Sequence, residues 1–363
     1  MVEAAPQERS AHPLLLTSPT MFGSHLSISG SMHNALLEAE QFGMDTVQVF
    51  TKNQQQWRTK PLEPGAVRDW TTELKRLGWT DRVVSHAGYL SNLASPDDEL
   101  WNKSVELMTI EIERCEALGI PLLVHHPGAF TTSSAQEGID RIARAYETLL
   151  KRTSGFRTIL CLEGTVGAGS QLGGTFEQLH AIRSAAAGRT GSPERIGFCL
   201  DTCHMHAAGY DLSSRESADQ VIARFDSVCG LENLKVMHLN DSKGKAGSHL
   251  DRHDHLGRGT IGGKPTPAAL AASGFQTFVN HPKLARVPMI LETPKGEDDQ
   301  GRAWDAVNLA LLRALRTGSS RVSAVKEARS RTRPRNEQSS KLRPNTSKSR
   351  SRNPLKKADP RKP

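Results

Sequence analysis

At 363 residues, with 37% hydrophobic side chains and a net charge of +8, the chain is long enough for one large domain or two small ones but too polar to be folded throughout. The charge is uneven: residues 321–363 hold 15 Lys and Arg against 3 Asp and Glu, which leaves a net −4 on residues 1–320. No apolar run approaches the ~20 residues of a membrane helix, Leu14-Leu15-Leu16 is too short for a secretory signal core, and five cysteines without paired CxxC spacing do not make a disulfide framework.

Residues 1–22 contain Pro and Ser without periodicity and are read as a loose leader. Beyond them, short apolar runs alternate with amphipathic stretches. The runs predict strands over 25–29, 46–50, 82–86, 122–126, 158–163, 196–201, 234–239 and 288–292. Helical spacing is clear over 34–42, 98–118 and 303–315. In the second of these, Leu100, Val105, Met108, Ile112, Cys115 and Leu118 share a face and Gly119 supplies the stop. Eight strand–helix units over residues 23–317 predict an α/β fold, a (β/α)8 TIM barrel, which typically takes about 250 residues. An open doubly wound sheet also alternates, and strand counting does not separate the two. After Gly318, polar and basic residues replace the large apolar ones. Residues 318–363 are therefore expected to form a disordered basic tail that attracts nucleic acid without choosing a sequence.

The ionisable residues favour the barrel, in which function collects at the C-terminal ends of the strands. Strand three ends in His86, strand four in His125-His126-Pro127-Gly128 and strand five in Glu163. Strand six ends in Asp201 with His204 beyond it, strand seven in His238, and strand eight in Glu292. The loop after strand seven adds Asp251 and His253. One histidine at a strand end is ordinarily a hydrogen-bonded core residue. Six consecutive strands each delivering such a group are hard to explain by packing, because burying that much uncompensated charge is costly and bound cations would remove the cost. Five imidazoles and four carboxylates exceed one tetrahedral site. Two or three ions are expected, and a nitrogen-and-oxygen set suits zinc or manganese better than magnesium. His125 and His126 cannot both face inward from one strand, and the Pro-Gly that follows points to His126.

The segments His86-Ala87-Gly88-Tyr89-Leu90-Ser91-Asn92-Leu93, His126-Pro127-Gly128, Leu162-Glu163-Gly164-Thr165, Leu200-Asp201-Thr202-Cys203-His204, His238-Leu239-Asn240-Asp241-Ser242, Asp251-Arg252-His253 and Leu291-Glu292-Thr293 together resemble endonuclease IV, the zinc-dependent apurinic/apyrimidinic (AP) endonucleases. The resemblance runs from about His25 to Lys295. It implies a (β/α)8 barrel carrying three Zn2+ ions, with Mn2+ possible at one site. His86, His126 and Glu163 would hold one ion. Glu163 would bridge to a second, completed by Asp201, His238 and Glu292. His204, Asp251 and His253 would hold the third. Glu163, Asp201 and Glu292 would be the catalytic carboxylates.

The implied substrate is double-stranded DNA with abasic sites, cut 5′ to the lesion, with trimming of blocked 3′ ends. Gln55, Tyr89 and Leu90 would contact the DNA. Gln55 stands where well-known bacterial members place an arginine, so it can fill the gap and hydrogen-bond but brings no charge. Trp57 is expected to be a buried anchor for the loop that carries Gln55. The glycine run from Gly164 to Gly174 is expected to let backbone approach a phosphate or metal. A monomer is expected in the cytoplasm, at the nucleoid in a bacterium or in the nucleus in a eukaryote. Two rivals are weaker. A sugar isomerase or epimerase on the same barrel gives no reason for His86, His126 and the Asp251/His253 pair. A nucleic-acid-binding protein on an inactive barrel gives no reason for a complete ligand set.

Overall fold

The computed structural model describes residues 20–318. Of the leader expected over residues 1–22 and the tail expected over 318–363, residues 1–19 and 319–363 lie outside the described residues, and Phe22 belongs to the first strand and not to the leader. Eight parallel strands close into a barrel, in the order β1 (Phe22–His25), β10 (Met289–Leu291), β7 (Leu234–His238), β6 (Ile196–Asp201), β5 (Ile159–Glu163), β4 (Leu122–His125), β3 (Val84–His86) and β2 (Thr46–Val49). Closure excludes the open doubly wound sheet. A two-stranded ribbon, β8 (Asp241–Ser242) with β9 (His253–Asp254), stands beyond β7.

Helices pack outside the strands. The longest, α3 (Asp98–Leu118), shows how sequence sets its bounds. The Asp97 side chain accepts from the Leu100 amide, which satisfies one of the free donors of the first turn. Val105, Met108, Ile112, Cys115 and Leu118 are buried on one face, and Gly119 ends the helix in the left-handed conformation at φ 67°. The first strand differs from expectation. It runs Phe22–His25 rather than 25–29, and Ser27 and Ser29, which alternate with Leu26 and Ile28, are loop residues. His25 therefore stands at the mouth end of β1 and not at its start.

Strand alternation places the site. One hydrophobic cluster fills the barrel's inside with Val84, Leu122, Val124, Cys161, Cys199, Val236 and Ile290. A larger one, with Leu123, Leu160, Leu162, Phe198, Leu200, Met237 and Leu291, lies between strands and helices. Side chains two residues apart share a face. Two residues on from Val84, Val124, Cys161, Cys199, Val236 and Ile290 stand His86, His126, Glu163, Asp201, His238 and Glu292. Six candidate ligands thus continue the inward face directly above its apolar layer, at the C-terminal mouth.

Candidate metal centre

The inward side chains converge. The Glu163 Oε2 atom lies 2.9 Å from His86 Nε2 and 3.0 Å from His126 Nε2. Its other oxygen, Oε1, is 3.0 Å from His238 Nδ1. That nitrogen is also 3.2 Å from Glu292 Oε2 and 3.7 Å from Asp201 Oδ2. The third group comes partly from a helix and partly from a loop. His204 lies on α6 (Thr202–Ala207), whose first amides are capped by Asp201 Oδ1. Its Nε2 is 3.3 Å from Asp251 Oδ1 and 3.4 Å from His253 Nε2, and the last two residues are 3.5 Å apart. The structure therefore brings all nine predicted residues into one cluster, with Glu163 joining its first two parts, and with both Glu163, 3.5 Å from His204 Nδ1, and Asp201, 3.6 Å from His253 Nε2, bordering the third.

Donor chemistry tests whether cations fit. Four imidazoles have one nitrogen occupied from behind: His86 Nδ1 by the Ala87 carbonyl at 2.7 Å, His204 Nδ1 by the Gly164 carbonyl at 2.9 Å, His253 Nδ1 by the Glu292 carbonyl at 3.3 Å, and His238 Nε2 by the Gln48 amide oxygen at 2.9 Å. Each N–H donates to its carbonyl, so the nitrogen facing the cluster carries a lone pair unless a second proton sits on it. Without ions, protons fill that role at His86, His204 and His238, whose pKa values are raised by the neighbouring anionic groups against the effect of burial. Burial alone would lower the His204 pKa, but Asp201 and Asp251 raise it to about 10. Burial would raise that of Glu163, but the His126 and His238 imidazoles hold it well below the usual carboxylate range. Between His204 Nε2 and His253 Nε2 only one proton fits, whereas a cation can take both lone pairs and Asp251. The residues present fit divalent ions.

Reading the sequence for ligands missed several neighbours. Gln48 and His25 belong to the same cluster, and Gln48 Nε2 donates to both His25 Nδ1 (2.9 Å) and Glu292 Oε1 (2.5 Å). Cys199 and Cys203 come within ligating range of Glu163/His238 and Asp251/His253 respectively. Burial pushes both thiols up, Cys203 to about 12. They stay protonated and are poor ligands in this state. Other histidines near the ligands in sequence have structural partners: His206 Nδ1 accepts from the Leu212 amide, His249 Nδ1 donates to the Val166 carbonyl, and His255 stacks on Trp304.

The glycine run serves backbone packing. A Cβ on Gly174 would lie 2.6 Å from the Gly167 Cα, so the two ends of the loop touch main chain to main chain.

His126 turns into the mouth, and His125 turns away from it. The Nε2 of His125 accepts from the Tyr146 hydroxyl of α4 (Ala135–Arg152) at 2.6 Å, and its Nδ1 donates to the His126 carbonyl at 2.9 Å. Both nitrogens are satisfied in the neutral ring, and burial lowers its pKa from 6.5 to about 4. The unfolded chain therefore binds the proton first on acidification. The stability held by the neutral ring should be complete above pH 6.5 and fall as pH drops from there towards about 4, by up to about 3 kcal/mol. Urea unfolding of wild type and His125→Gln at pH 7.5 and pH 5 should show the smaller pH-dependent loss in the variant. Equal losses would remove His125 as the source.

Of the predicted DNA contacts, Gln55 and Tyr89 are exposed and Leu90 is half-buried. Tyr89 is 64% exposed although its ring lies 5.9 Å from His86 and 6.3 Å from His126, so an apolar surface stands free beside the cluster. Trp57, expected to be buried, is exposed at 38%. Its loop is held from beneath by other residues.

This fold and cluster define a class. Residues 36–306 match the family described as xylose isomerase-like TIM barrel. A curated protein of Chloroflexus aurantiacus named "Probable endonuclease 4" is 43% identical over 298 residues, 82% of this chain and 99% of that protein. The crystal structure of endonuclease IV from Thermus thermophilus superposes with a TM-score of 0.68 at 33% identity, covering 82% of this chain and 99% of the other. A D-tagatose 3-epimerase-like protein shares the barrel at a TM-score of 0.57 and 17% identity, over 83% of this chain and 98% of that one, a likeness of fold alone. The chain belongs to the endonuclease IV family of DNA-repair hydrolases and is an endonuclease.

Proposed function

We propose that the enzyme hydrolyses the phosphodiester 5′ to abasic sites in double-stranded DNA, leaving a 3′-hydroxyl and a 5′-deoxyribose phosphate, and that it also removes 3′-blocking groups. The observation that carries this reading is the cluster of nine donors in three contiguous groups at the barrel mouth. His86, His126 and Glu163 would hold one zinc; Glu163, Asp201, His238 and Glu292 a second; and His204, Asp251 and His253 a third, with Mn2+ possible at one site. Such ions supply activation of water near neutral pH and positive charge against phosphate oxygens. The chain's own part is positional. Glu163, Asp201 and Glu292 hold negative charge at fixed places on the floor of the mouth. Carbonyls and Gln48 set which nitrogen of His86, His204, His238 and His253 faces inward. In the hydrolysis, water oxygen bonds to phosphorus, the P–O3′ bond breaks, and the departing O3′ takes a proton. The abasic sugar must first leave the helix, which costs least where no base pairs or stacks. Tyr89 and Leu90 would fill the space left, and Gln55 would hydrogen-bond in the gap.

The enzyme is proposed to act as a monomer in the cytoplasm. Among the described residues no helix is long and apolar enough to cross a membrane. The reading is tested with a duplex carrying one tetrahydrofuran abasic analogue, beside an undamaged duplex. The analogue cannot undergo β-elimination. Incision leaving a 3′-hydroxyl, abolished by a chelator and restored by zinc, is expected on the first duplex only. No incision by zinc-loaded protein would reject the proposal.

A further inference from the structure

The metal cluster leaves unused a charged pair deep beneath the DNA-facing loops. Glu111 lies on α3, faces the barrel top and is 1% exposed. Its Oε2 accepts from the Thr51 hydroxyl at 2.9 Å. Its Oε1 lies 3.6 Å from the Lys52 ammonium, itself buried, and accepts from the Gly88 amide at 3.3 Å. Thr51 and Lys52 begin the loop that carries Gln55. Gly88 precedes Tyr89 and Leu90. One carboxylate therefore binds the roots of both loops.

The Lys52 ammonium carries the link upward. It donates to the carbonyls of Asn53 (3.1 Å) and Gln56 (3.0 Å), clasping the turn around Gln55, whose amide donates to Asn53 Oδ1 at 2.9 Å. One turn along α3, Arg114 donates to the carbonyls of Thr51 and Lys60. The two loops also touch directly. A Cβ on Gly88 would lie 3.0 Å from the Gln54 carbonyl oxygen and 3.2 Å from its Cα. A buried ion pair is expensive to form, and simple loop closure over a helix does not require one. Charged groups that bond several backbone atoms on two loops fix the loops' relative position.

We propose that Glu111, with Lys52, is a positioning residue for lesion recognition: it holds the Gln55 loop and the Tyr89–Leu90 loop at the spacing that lets them enter an abasic duplex together. The inference rests on the reading of Gln55, Tyr89 and Leu90 as DNA contacts. It predicts a specific kinetic signature. Loosening the loops weakens the entry of the side chains without altering the ions, so Glu111→Ala should raise KM for the tetrahydrofuran duplex about tenfold, keep kcat within about twofold, and retain the zinc content of wild type. Glu111→Gln keeps an acceptor for Gly88 and loses the charge, and should fall between the two.

The experiment measures KM and kcat, bound zinc, and the fluorescence of a 2-aminopurine next to the abasic site, which reports unstacking by inserted side chains. The proteins are the full chain, Glu111→Ala, Glu111→Gln, Gly88→Ala and Tyr89→Ala. Gly88→Ala should reproduce the KM rise and the loss of fluorescence gain by pushing the loops apart with Glu111 intact, which keeps the test available if Glu111→Ala does not fold. If Tyr89→Ala raises KM but neither Glu111→Ala nor Gly88→Ala does, the positioning role is overturned. A fall in kcat together with lost zinc in Glu111→Ala also overturns it, because Glu111 would then support the fold of the site as a whole. If Tyr89→Ala changes neither KM nor fluorescence, the reading of that loop as a DNA contact fails first, and the inference fails with it.

Discussion

Glu163→Gln should lower incision of a tetrahydrofuran duplex by about 10³-fold or more, the scale reached when a single preorganised electrostatic group is removed from an active site. No other side chain of the cluster has both ends engaged in the same way. Oε2 faces His86 and His126, and Oε1 faces His238, so one carboxylate serves two of the three groups. Glutamine keeps the shape, loses the charge and replaces one acceptor oxygen by an N–H donor that cannot bind a cation. Two consequences follow. The variant should retain at least one fewer zinc per chain than wild type after dialysis, and raised zinc should not restore its rate. Folding should survive, because Glu163 packs above an apolar layer of Cys161, Val124 and Val236 that the substitution does not touch. Thermal unfolding, metal content by mass spectrometry and single-turnover rates decide the matter together. A fully metallated but inactive variant would show that Glu163 acts on the substrate and not as a bridge. A fully active one would remove it from the centre.

The strength of that expectation comes from a pattern legible in the sequence itself. Strands five to seven read correctly because their apolar runs are bounded by turn residues and end in a charged group. Period-two alternation then fixes which face Glu163, Asp201 and His238 share. Barrel closure is not legible, because an open sheet has the same alternation of strands and helices. Nor is β1. Its residues Phe22-Gly23-Ser24-His25 have little strand character, whereas Leu26-Ser27-Ile28-Ser29 alternates apolar and polar and imitates a half-buried strand. The misplaced register hides His25, which it puts at the far end of the barrel from the mouth.

Trp57 departs from expectation for a related reason. Aromatic size suggests burial, but the loop is anchored by Lys52 and Arg114, charged residues that sequence reasoning assigns to the surface. Lys52 is buried against Glu111, and Arg114 is half-buried against the carbonyls of Thr51 and Lys60, 63 and 54 residues away along the chain, and no local pattern reports such a pairing. Lone amides escape the same way. A search for ligand types passes over Gln48, which sits within an apolar strand and spends its amide on hydrogen bonds to His238 and Glu292.

Gln48 nevertheless should control metal affinity. Its Oε1 accepts from His238 Nε2 at 2.9 Å, which commits the His238 proton to that side and leaves Nδ1 facing Glu163, Asp201 and Glu292. Its Nε2 donates to Glu292 Oε1, which holds Oε2 towards the same Nδ1. One fully buried amide thus orients two members of one group. Gln48→Leu has nearly the same volume, so the barrel should fold, but it leaves the His238 N–H without an acceptor and Glu292 Oε1 with only the more distant His25 Nδ1, 3.5 Å away. Loss of such a supporting hydrogen bond typically costs about 10- to 100-fold in metal affinity, and zinc competition with a chromophoric chelator should show a weakening of that size for one ion. The decisive contrast is rescue. Gln48→Leu retains every proposed ligand, so raising free zinc should return most of its activity, whereas Glu163→Gln lacks a proposed ligand and should stay inactive. A Gln48→Leu enzyme with wild-type chelator sensitivity would mean that His238 and Glu292 are held by the barrel alone. One that zinc cannot rescue would mean that Gln48 has a direct part in the reaction.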